Sequence, residues 1–74
     1  MKMLKAALLP GGAVRASRYR GEKQRFFETR AAVRVFARQH GFGAIFWYPC
    51  NGYRTAIANR PHERPPADEL EILT

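Results

Sequence analysis

Arg30, Arg34 and Arg38 recur at every fourth residue, a spacing that lines side chains along one stripe of an α-helix. Guanidinium groups meet phosphate or carboxylate through paired planar hydrogen bonds. Set one turn apart, they can touch successive phosphates, and each phosphate neutralised releases counterion, so binding weakens with salt. More bases precede the stripe: Arg15, Arg18, Arg20, Lys23 and Arg25, with Tyr19 between two arginines and able to stack on a base or ribose edge. The competing reading is a solvated helix face. A second set is aromatic: Phe46, Trp47, Tyr48 and Tyr53. If Ile45 and Trp47 pack on the helix, Phe46, Tyr48 and Tyr53 form an outward platform of the kind that stacks bases at ~1–3 kcal/mol each. If Phe46 and Ile57 face the helix instead, Trp47 is exposed, and exposed aromatics beside arginine also anchor protein interfaces.

Catalysis has thin support. Cys50, His40 and His62 are the candidates for nucleophile and base, with Asp68 or a glutamate to orient a histidine. Their spacing matches no nucleophile elbow, phosphate loop or metalloprotease helix. A single cysteine forms no internal disulfide and cannot by itself make a zinc site. The reading is therefore non-enzymatic, with no metal and no cofactor.

The element that must carry the arginines runs from Thr29 to Gly41. Thr29 suits an N-cap, and Glu28 before it suits the positive end of the helix dipole. Gly41 suits a left-handed helix ending, with Phe42 folding back on Ala37. Ala32, Val33, Phe36, Ala37 and His40 share one face, well round from the arginines. Before the helix, Met1–Leu9 and Ala13–Tyr19 flank the turn signal Pro10-Gly11-Gly12 and read as a hairpin. Residues 24–28 either end a strand that feeds the helix or begin the helix early. After it, Ala44–Cys50 and Tyr53–Asn59 flank Asn51-Gly52, which predicts a second hairpin with a two-residue turn, Trp47 opposite Ala56 and Phe46 opposite Ile57. Pro49 lacks a ladder donor, so its nitrogen should face away from a neighbour, near an edge or bulge. The sequence Gly43-Ala44-Ile45-Phe46-Trp47-Tyr48 does not match the RNA-recognition sheet motif.

Seventy-four residues form one domain near the lower limit for a single core, which makes self-association an expectation. Residues 1–60 hold twelve of the thirteen Lys and Arg and only Glu22 and Glu28 as acids, a net +10. That body attracts polyanions at a distance. A proline-rich connector follows, then the acidic piece Ala67–Thr74, read as a short strand, a helical turn or a tail that docks on the basic body. Glu69 and Glu71 in it could fold onto the arginine stripe and mask it. No apolar run reaches the ~18 residues of a membrane span. The N-terminus imitates a secretory signal, but Pro10-Gly11-Gly12 interrupts its apolar patch, so a strand and a cytoplasmic location are expected.

These features predict an α+β fold: three or four antiparallel strands in ββαββ order with one amphipathic helix across one face, residues 1–60 as the basic domain and 61–74 as connector and tail. The leading functional expectation is a small binding module whose arginine-rich surface engages nucleic acid or a nucleoprotein complex. The alternatives are a phage- or mobile-element-encoded inhibitor of the anti-CRISPR kind that docks on a host protein complex, and a structural homodimer.

Overall fold

The structure is a computed structural model and describes residues 2–17, 23–53 and 66–74. Strand β1 (Met3–Leu8) enters a tight turn at Pro10–Gly12 and returns as β2 (Val14–Ser17), antiparallel, with Leu8 opposite Val14. Gly11 and Gly12 sit at φ +86° and +92°, which explains the glycine pair. The Leu9 N–H closes the turn on the Ala13 carbonyl at 2.9 Å. Arg25–Phe27 forms β3, antiparallel to β2, so Phe26 and Phe27 end a strand that feeds the helix.

Helix α1 (Arg30–Gln39) begins and ends where the sequence predicts. Thr29 Oγ1 accepts from the Ala32 N–H at 3.2 Å, satisfying one of the first-turn donors. At the far end, Gly41 (φ +75°) donates to the Arg38 carbonyl and Phe42 donates to that of Ala37. This paired ending places Phe42 in the core beside Ala37. Val33 and Ala37 are buried and Phe36 half-buried, whereas His40 is exposed rather than part of the buried face.

Three expectations fail at the next strand. Strand β4 (Ala44–Pro49) runs parallel to β1, and its other side takes β5 (Glu69–Ile72), antiparallel. The sheet has five strands, mixed, in the order β3-β2-β1-β4-β5, not three or four antiparallel ones. Three strands precede the helix, and a helix between two strands reverses the chain twice, so β4 runs in the direction of β3 and β1. The predicted register of a second hairpin is also wrong. Phe46 lies between Lys5 and Leu70, and Trp47 between Ala6 and Glu69, so both sides of the strand are occupied there. Asn51, Gly52 and Tyr53 are helical, and Gly52 has no positive φ; residues 54–59 lie outside the described part. Pro49 ends an interior strand rather than an edge. The Cys50 N–H donates to the Leu8 carbonyl, so the alternating ladder turns the Pro49 nitrogen to the other side, beyond Glu69.

The core lies between the helix and one face of the sheet. Leu4, Ala6, Leu8, Val14, Ala16, Ile45 and Trp47 face Val33 and Ala37. Among the described residues no helix is long and apolar enough to cross a membrane.

Candidate nucleic-acid interface

The arginine stripe does not jut freely into water. Ile45 and Trp47 point to the helix, and the pairing of Ile45 with Glu71 and Trp47 with Glu69 turns both glutamates to the same side. Arg34 makes a two-pronged bond to Glu71, Nε to Oε2 at 2.6 Å and Nη2 to Oε1 at 2.9 Å. Glu71 Oε1 also accepts from the Trp47 indole N–H at 3.3 Å. Arg30 lies 3.7 Å from Glu69. The guanidinium carbons of Arg30 and Arg34 stand 4.9 and 5.5 Å from the Trp47 ring, within cation–π range. Trp47 is thus fully buried under two arginines, with its one donor satisfied. The hydrogen bond from Arg34, followed by its charge, outweighs desolvation and holds the Glu71 carboxyl below its ordinary value. The same bond raises the Arg34 guanidinium. Arg38 is exposed at the end of the stripe and its charge also favours ionised Glu71.

This corrects the sequence reading in one respect and bears it out in another. Two of the three arginines are fastened to the protein's own carboxylates, so the stripe is mainly a clamp on β5. The fold of Glu69 and Glu71 onto the stripe is as expected, with the acidic piece forming a strand.

The opposite face of the sheet carries the other feature. Strand alternation puts Phe26, Arg15, Ala7 and Tyr48 in one row across it, Ser17, Lys5, Phe46 and Leu70 in the next, and Met3, Ala44 and Ile72 in a third. Phe46 and Tyr48 are half-buried and stacked, centroids 6.1 Å apart at 26°. Phe26 is 67% exposed, Leu70 55%, Ile72 52% and Met3 40%. Among the described residues, Val35 is the one other exposed large hydrophobic. Shallow hollows flank Tyr48: one is lined by Arg15 and Cys50, the other by Lys5, Phe46 and Asp68. Among the described residues each hollow therefore has one cation, and Asp68 is the single acid on either rim.

The remaining candidates fall as follows. Arg18, Tyr19, Arg20 and His62 lie outside the described residues. Lys23 and Arg25 are exposed beside the helix C-terminal end and line a hollow there with His40. Trp47 belongs to the core, and Tyr53 leaves the platform for the helical turn, its N–H donating to the Cys50 carbonyl and lying 3.3 Å from Cys50 Sγ. Cys50 is buried and lines a different hollow from His40. No group of three or more His, Cys, Asp and Glu arranged to hold a metal ion occurs among the described residues. Lys5, Phe26 and Leu70 were not legible as site residues, although the alternation Met3-Lys5-Ala7 already puts a cation on the face away from Leu4 and Ala6. No family model, curated protein or solved structure matches this chain significantly.

Proposed function

We propose that this chain is a non-enzymatic binding module that takes a single-stranded nucleic acid across the open face of its sheet. The observation that supports this best is the stacked pair Phe46 and Tyr48, outward on β4, with Lys5 and Arg15 on neighbouring strands of the same face. Bases offer flat apolar surfaces to such rings, and cations beside the rings meet the phosphates. The net charge of +7 favours the encounter. Glu69 and Glu71 are turned to the helix side and paired there, so among the described residues Asp68 is the acid left beside that face.

Fluorescence anisotropy with a labelled oligothymidylate across a salt series tests the reading. With Lys5 and Arg15 each neutralising one phosphate, the slope of log affinity on log salt is about −1.4, and Lys5→Ala brings it to about −0.7. Absence of binding at low salt, or an affinity indifferent to salt, rejects it.

A second reading rests on Met3, Leu70 and Ile72. Aliphatic side chains stack poorly on bases, and exposed apolar patches mark protein contacts. The partner would then be a second copy or a host protein complex, the latter as an inhibitor would require. A sedimentation coefficient that rises with concentration, together with no oligonucleotide binding, favours the second copy.

A further inference from the structure

A separate hollow of about 230 Å³ opens between the helix C-terminal end and the β2–β3 side of the sheet. Leu4, Phe36 and Phe42 supply apolar walls, and Lys23, Arg25 and His40 supply cationic or donor groups. No Asp or Glu lines it among the described residues. Arg25 is set in place by aromatic faces, its guanidinium carbon 5.0 Å from the Phe36 ring and 5.8 Å from that of Phe27. His40 lies against the same Phe36 ring, centroids 4.2 Å apart and tilted by 33°, so one ring contacts two of the polar groups. A helix C-terminus ordinarily repels anions. Here Gly41 and Phe42 donate to the Arg38 and Ala37 carbonyls, and Lys2 Nζ donates to that of His40 at 3.1 Å. The exposed carbonyl charge is thereby largely covered.

We infer that this hollow binds the phosphate monoester of a nucleoside, with Lys23 and Arg25 holding the phosphate and Phe42 and Leu4 bordering the flat base. Two guanidinium or ammonium groups beside apolar walls suit an anion with a hydrophobic body better than a bare ion, which would leave the walls unused. The inference does not depend on the open sheet face.

Titration of the isotope-labelled protein with thymidine 5′-monophosphate, thymidine and inorganic phosphate, followed by amide NMR shifts, tests it. Expected are saturable shifts at Lys23, Arg25, His40 and Phe42 with the monophosphate, weaker binding of inorganic phosphate, and none of thymidine. Lys23→Ala and Arg25→Ala should each weaken the monophosphate about tenfold, the loss of one charge-assisted hydrogen bond. Lys23 lies in an exposed connection, so its replacement leaves folding intact. Phe46→Ala should leave these shifts unchanged even if it abolishes oligonucleotide binding. Comparing a 5′-phosphorylated oligothymidylate with its unphosphorylated form then separates the two sources. Preference for the phosphorylated strand assigns the site to a strand end, and equal affinity assigns it to a free mononucleotide. Shifts that do not saturate, equal response to thymidine, or a Lys23→Ala variant with unchanged affinity would overturn the inference.

Discussion

At the scale of single residues, Trp47 and Glu71 decide what the helix arginines do. A buried indole needs a partner for its N–H, and Glu71 supplies it while also receiving Arg34. Removing the carboxylate leaves the indole donor and a partly buried guanidinium without their acceptor. Glu71→Ala should cost about 1–2 kcal/mol in urea unfolding, less than a fully buried charge pair because both side chains keep solvent contact. Trp47→Ala should cost about 3–5 kcal/mol, as for other large core truncations. The Glu71 carboxyl, held below its ordinary 4.5 in the folded state, adds stability that is complete above about 4.5 and disappears as pH falls through the lower folded value. Wild type should therefore lose more stability than Glu71→Gln between pH 5 and 3, whereas parallel pH curves would contradict this account. The pairing was half legible: Arg30 and Arg34 repeat at one helical turn and Glu69 and Glu71 at one strand period. That they enclose Trp47 follows only from the order of strands.

Among the elements, those with local signals were readable and those with distant partners were not. Thr29 and Gly41-Phe42 set the helix ends through bonds spanning a few residues, and the first hairpin is fixed by Pro10-Gly11-Gly12. Thr29→Ala should destabilise by about 1 kcal/mol. Gly41→Ala should cost about 1–2 kcal/mol, wholly through its positive φ, because an added Cβ meets nothing within 4 Å. Thermal unfolding of the two variants checks both values. The Asn51-Gly52 signal misled because a turn dipeptide says nothing about whether the strand before it has a free side. For Phe46 and Trp47 both sides are taken by β1 and β5, segments distant in sequence. The same pairing changes how masking by the acidic strand is tested. Deleting residues 66–74 would strip β5 from the edge of β4 and the cover from Trp47. Glu69→Gln is the milder change. It should tighten low-salt oligonucleotide binding slightly if Glu69 restrains Arg30, and unchanged affinity would limit the arginines to their structural part.

For the whole molecule, the division of charge and apolar surface between the two sides of one sheet organises the proposal. The helix side places acids against arginines and buries the tryptophan. The other side keeps the half-buried Phe46 and Tyr48 and the exposed Phe26, Leu70 and Ile72 with Lys5 and Arg15, and apolar exposure of this kind supports the proposed binding face. Composition indicated a basic module, but it could not say that the helix bases would be partly neutralised and the platform left facing outward. The most direct test is the anisotropy of a labelled oligothymidylate at low salt, with wild type beside the Phe46→Ala/Tyr48→Ala double variant, whose side chains lie outside the core. Losing two stacked bases should weaken binding by at least about thirtyfold at ~1–3 kcal/mol per base. Equal affinity of variant and wild type, with both folded, would contradict the assignment of the open face as the binding surface.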